Sequence, residues 1–150
     1  MKRFISYLLL AVLLVNALPV IGMAKESAEG IIYYDDGSYM TIEIVTDGSR
    51  ASGSVTGNKR YTYYDESSVT QWQAILTGKF TYTGSSSTCT SSSVNVSIFD
   101  STWYVSSKYA SKSGNAATAS VTMAKTLEGT TITKVPVSLT LTCDANGNLS

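Results

Sequence analysis

The chain has 150 residues, 11 of them Lys or Arg and 11 Asp or Glu, so its formal net charge is zero, and it contains no histidine. These counts exclude the usual general base, the usual zinc ligand and every His-containing catalytic triad, and the charge balance offers no basic patch to nucleic acid. Abundant Tyr with long rows of Ser and Thr is the composition of β-sheet rather than of disorder.

The first 24 residues read as an export signal. Lys2 and Arg3 lead, residues 4–15 are apolar, and Asn16, Pro19 and Gly22 interrupt the run ahead of the small-residue site Gly22, Met23, Ala24. Signal peptidase needs this order, which predicts a signal helix over residues 1–24 and a mature chain starting at Lys25. The rival reading is an uncleaved anchor, since the stretch from Phe4 is about 21 residues and long enough to span a bilayer. Its polar and helix-breaking second half argues against a stable span. Loss of Lys2 and Arg3 leaves the mature chain slightly acidic. Its length suits one domain that buries roughly two thirds of its unfolded surface.

Residues 25–30 read as a mobile leader, and residues 31–150 as a single domain. A turn at Asp35, Asp36, Gly37 and Ser38 separates an extended run over 31–34 from an alternating one over 39–46. Glycine and serine make residues 47–58 a predicted loop, after which Tyr61 and Tyr63 share a face. The strongest signal is Trp72, Ala74, Leu76, Gly78, Phe80, Tyr82, a period of two that a helix cannot satisfy. Gly78 is the predicted bulge or bend where the sheet turns. Beyond a Ser-rich stretch over 84–93 come Val94, Val96 and Ile98, then Trp103, Val105 and Tyr109. Ala117, Ala119, Val121 and Met123 follow, and Val135, Val137, Leu139, Leu141 and Cys143 close the series. Pro136 cannot donate to a ladder and marks an edge or bulge. Residues 144–150 read as a polar tail.

Seven or eight short strands without a helix predict an all-β domain, a single antiparallel β-sandwich or Greek-key barrel of immunoglobulin-like architecture. Cys89, Trp103 and Cys143 are spaced as in an immunoglobulin domain, but Leu141 stands where the tyrosine corner would be and too few residues follow Cys143 for a last strand. In an oxidising compartment the default for Cys89 and Cys143 is one disulfide, worth on the order of 4 kcal/mol. Two separate thiols, or pairing between chains, are the alternatives.

Two segments carry a resemblance: the run from Trp72 through Thr83 and Gly84 to Cys89, and the ending Leu-Thr-Leu-Thr-Cys-Asp-Ala-Asn-Gly-Asn-Leu-Ser. Together they resemble a group of small exported proteins of Gram-positive bacteria that share a signal peptide, two cysteines and this terminal motif. The group has no assigned activity, so the resemblance implies export and a compact β-fold and transfers no catalytic residue.

The acids Asp35, Asp36, Asp65, Glu66, Asp100 and Glu128 all fall at predicted turns, where neighbouring carboxylates point apart and act as solvated turn formers. A glycosidase needs two facing across a cleft, so the expectation is no enzyme, no cofactor and no metal. Asp144, Asn146 and Asn148 alternate like the start of a calcium loop, yet no Glu follows to complete it, and a plain turn is the reading. The aromatic residues exceed what one small core needs. Tyr34, Tyr64 and Tyr104, on the presumed outer faces, are the predicted binding residues, suited to stacking on a sugar or anchoring a protein. Cross-strand stapling is the plain alternative. The sequence therefore reads as a secreted, monomeric, non-catalytic binding module for a cell-envelope glycan or surface protein. The alternatives are a membrane-active, toxin-like protein, motivated by the small-residue hairpin over 105–123, and a structural matrix component.

Overall fold

A computed structural model describes residues 27–46 and 53–150. The expected signal, residues 1–24, and its cleavage site lie outside them. Among the described residues the chain is all β, with strands β1 (Ser27–Tyr33), β2 (Tyr39–Thr46), β3 (Ser54–Tyr64), β4 (Thr70–Tyr82), β5 (Ser87–Ile98), β6 (Trp103–Ser113), β7 (Ala116–Leu127) and β8 (Thr130–Thr142). They form two antiparallel sheets, one of five strands in the order β1-β2-β3-β4-β5 and one of three in the order β6-β7-β8. β3 and β4 pack on β8, β4 also on β7, and β5 turns the corner to β6, which makes a β-sandwich. Neighbours in each sheet are neighbours in sequence. Greek-key connections and the immunoglobulin strand order require strands that skip a neighbour, and neither occurs among the described residues.

Period two builds the core. Trp72, Ala74, Leu76 and Phe80 of β4 meet Ala117, Val121 and Met123 of β7 and Leu139 and Leu141 of β8 in one buried cluster, each large side chain there contributing about 1.5–3 kcal/mol. Gly78 carries no side chain because a Cβ there would lie 2.6 Å from the Phe80 ring. The bulge expected at Gly78 falls instead between Lys79 and Phe80. Pro136 is exposed on β8, an edge strand, as its missing N–H requires.

Several boundaries differ from the sequence reading. Residues 27–30, expected in the leader, belong to β1 and pair with β2, with Gly30 opposite Ile42. Residues 54–58 of the expected loop open β3, where Asn58 Oδ1 accepts a 2.7 Å hydrogen bond from Thr77; residues 47–52 lie outside the described residues. Residues 87–93 of the Ser-rich stretch are strand, since an outward row needs no apolar side chain. The terminal residues also return on the sandwich: Ser150 and Thr142 exchange backbone hydrogen bonds at 2.8 and 3.0 Å, and Leu149 packs on the core.

Three hairpins share one turn. In residues 34–38, 65–69 and 144–148, the first N–H donates to the fifth carbonyl and the fourth N–H to the first carbonyl. The fourth residue has positive φ each time, at Gly37 (84°), Ser68 (63°) and Gly147 (85°). This is a type I turn closed by a residue in the left-handed region.

The expected disulfide between Cys89 and Cys143 is not formed among the described residues. Both cysteines are nonetheless buried at one end of the sandwich. Their N–H groups donate to consecutive carbonyls of one turn, Cys89 to Gly114 at 2.8 Å and Cys143 to Asn115 at 3.1 Å. The sulfurs turn to different carbonyls, Cys89 Sγ to Ser91 and Cys143 Sγ to Asp144. Burial pushes the Cys89 thiol pKa up and holds it protonated.

Candidate functional site

Because every connection within a sheet is a hairpin, antiparallel alternation sends the β1–β2, β3–β4, β5–β6 and β7–β8 connections to one end of the sandwich. Asp35, Asp36, Asp65, Glu66, Asp100 and Glu128 sit in those connections. Turn acids that are scattered in sequence are thus gathered, and three of them, Asp36, Asp65 and Glu66, line one pocket of about 300 Å³ with Tyr63, Trp103 and Lys125.

Two parallel hydrogen-bond relays run from core ring to rim acid. The Tyr63 hydroxyl donates to Ser38 Oγ at 2.7 Å, and Ser38 Oγ donates to Asp36 Oδ1 at 2.5 Å. The Trp103 indole N–H donates to Gln71 Oε1 at 3.2 Å, and Gln71 Nε2 donates to Asp65 Oδ2 at 2.9 Å. Ser38 and Gln71 are buried, so each relay satisfies polar groups that would otherwise cost about 1–3 kcal/mol. The second relay depends on a bulge. Tyr63 opposes Trp72 while Tyr64 opposes Thr70, so Gln71 is the extra residue and turns inward beside Trp72. The rings interlock, with Tyr63 stacked on Trp72 at 5.1 Å and edge-on to Trp103 at 5.4 Å.

The electrostatics follow from these contacts. The Ser38 hydroxyl and N–H hold the Asp36 carboxyl below the usual range, with Lys125 adding attraction. The Thr102 N–H and hydroxyl do the same for Asp100, again with help from Lys125. Burial raises the Tyr63 pKa against the opposing Ser38 bond, so the phenol remains a neutral donor. Lys125 Nζ lies 5.8 Å from the Trp103 ring centroid, within cation–π range.

A second concavity of about 610 Å³ lies on the outer face of the five-stranded sheet and includes Glu43, Arg60, Thr62, Tyr64, Gln73 and Phe99. Cross-strand pairs run along it, Glu43–Arg60 and Thr62–Gln73 within its lining and Tyr64 paired with Tyr39, which lies outside that lining. Tyr39 stacks on Tyr64 at 4.8 Å and 13°, Arg60 meets Glu43 at 3.3 Å, and Gln73 Nε2 donates to Thr62 Oγ1 at 3.0 Å. One aromatic plate and several polar groups therefore face the same opening.

The three predicted tyrosines lie on different surfaces. Tyr64 is on the outer face, as expected. Tyr34 is not: it begins the first hairpin and packs edge-on against Tyr63 at 5.6 Å, half-buried, with its pKa raised chiefly by burial. Tyr104 faces out from the other sheet, 3.0 Å from the Thr131 hydroxyl. Sequence reasoning missed Gln71, which its period placed outward, and Ser38, which it read only as a turn residue. A polar residue beside the longest alternating run was the available signal.

The calcium-like segment is a turn: Asp144 accepts from the Asn146 and Asn148 N–H groups and from Asn148 Nδ2, each at 2.8 Å. Among the described residues no three His, Cys, Asp or Glu side chains are placed to hold a metal ion, and no helix is long and apolar enough to cross a membrane. The chain matches no protein family, no curated protein and no solved structure.

Proposed function

We propose that the protein is an exported, non-catalytic binding module whose outer-face groove takes a cell-envelope glycan. The observation that carries this reading is the Tyr39–Tyr64 stack beside the Glu43–Arg60 and Thr62–Gln73 pairs. Pyranose rings lay C–H faces on aromatic plates, and their hydroxyls need donors and acceptors of both kinds alongside. The non-catalytic reading rests on the turn acids, of which Asp36, Asp65 and Asp100 each accept hydrogen bonds from their own turns, the ordinary role of such residues. The membrane-active alternative requires the 105–123 hairpin, whose Ala117, Val121 and Met123 are buried in the core, to leave the sandwich at a bilayer. In the oxidising surroundings that export implies, Cys89 and Cys143 close into a bridge. Thiol titration of the denatured, secreted protein tests this, and two reactive thiols per chain would refute it.

The groove is tested by co-sedimentation with purified cell walls and insoluble polysaccharides. Saturable binding, weakened about tenfold by Tyr64→Ala and untouched by Tyr104→Ala, is the expected result for loss of a stacking hot spot. Equal binding of both variants and the parent protein would overturn it.

A further inference from the structure

The loop end carries a second recognition surface, centred on the Tyr63–Trp103 pocket, whose apolar rim meets the outer-face groove at Val69 and Phe99. Its six carboxylates face two lysines in the same region, Lys125 and Lys134. Large apolar side chains stand exposed among the acids: Val69, Phe99, Leu127 and Ile132 are each more than half accessible. Apolar patches rimmed by charge mark interaction sites rather than ordinary surface. The sign of the charge selects the partner class, since acidic loops are repelled by anionic lipid headgroups and attracted by basic protein surfaces.

The pocket supplies an anchor point. Tyr63 and Trp103 wall it, Asp36, Asp65 and Glu66 rim it, and the two relays hold both aspartates in place before anything binds. Its volume of about 300 Å³ admits one long side chain. Lys125 already shows that an ammonium is held against the Trp103 ring.

We infer that the loop end docks a protein partner that presents a Lys or Arg side chain beside an apolar residue, the cation entering the Tyr63–Trp103 pocket and the apolar neighbour covering Ile132, which lines the same pocket. An incoming cation competes with Lys125 for the same aromatic and carboxylate environment. Lys125 therefore acts as a tethered occupant that weakens binding.

The probe is a blocked pentapeptide, acetyl-Gly-Phe-Lys-Leu-Gly-amide, with norleucine in place of Lys as its uncharged twin. Tryptophan fluorescence is titrated up to about 10 mM peptide, the range that a contact of a few kcal/mol reaches, with thermal melts confirming that each variant is folded. A saturable signal is expected for the Lys peptide, at least tenfold weaker for the norleucine peptide and for Glu66→Gln combined with Asp36→Asn, and reduced by salt. Lys125→Gln is expected to tighten binding several-fold, and Asp144→Asn at the opposite end to leave it unchanged. Any of three results overturns the inference: no saturation, equal binding of the two peptides, or a loss with Asp144→Asn as large as with the rim substitutions. Failure of glycan binding at Tyr64 leaves this test unaffected.

Discussion

The two ends of the sandwich are built from the same kind of hairpin and put it to opposite use. At the end holding the β4–β5 and β6–β7 turns, the chain closes on itself: Gly84 N–H donates to Ala145 O at 2.8 Å, Leu149 covers the core, and Asp144 spends its carboxylate on its own turn. No large apolar residue is exposed in those described connections. At the other end the same turn geometry, in residues 34–38 and 65–69, presents carboxylates and open apolar side chains. Turn carboxylates are bonded to their own turns at both ends, Asp144 at one and Asp36, Asp65 and Asp100 at the other; the ends differ in that apolar side chains are covered at the first and exposed at the second. With the proposed docking site at the open end, stability and recognition are expected to separate along the sandwich.

The separation is tested most severely at the closed end. Gly147→Ala places a Cβ 2.6 Å from the Tyr82 ring at a φ of 85°, and is expected to lower unfolding free energy by about 2 kcal/mol while leaving ligand affinity intact. Leu149→Ala follows at about 1.5 kcal/mol, a partial-burial version of a core truncation. Urea denaturation measures both, and a loss of binding without a loss of stability would erase the distinction between the ends. At the open end, Ile132→Ser is expected to change stability by less than about 0.5 kcal/mol and to weaken peptide binding. Ser68→Gly relieves the one non-glycine among the three matching turn positions and is expected to raise stability by about 0.5 kcal/mol.

Acid sharpens the comparison further. Asp36 and Asp100 have folded-state pKa values below the ordinary carboxylate value. A depressed carboxylate stabilises the fold above its unfolded pKa of about 3.9 and loses that contribution as pH falls through the folded value. Stability is thus expected to decline below about pH 4, and Asp36→Asn to flatten part of that decline in denaturation midpoints taken across pH. An unchanged slope in the variant would remove Asp36 from the account.

Much of the architecture was legible because it rests on period two. Trp72 to Phe80 and Val135 to Cys143 announce strands with one buried face, and both are found so. Strand limits were less legible where the side chains are small. Ser and Gly in residues 54–58 and 87–93 signal loops locally, but neighbouring strands recruit them into ladders. The predicted site was legible only in part, since Tyr64 follows from facing outward, whereas Tyr34 is drawn against Tyr63 by a hairpin whose angle no local pattern encodes.

By itself, the sequence determined the all-β class, the inward rows, the turn positions and the absence of histidine chemistry, because each depends on residue type and short-range spacing. Only the tertiary structure decided that six turn acids share one end, that a bulge at Gln71 links Trp103 to Asp65, and that the last residues close the opposite end. Those outcomes depend on strand order, register and sheet packing, which join residues far apart in the chain through contacts that no short window contains.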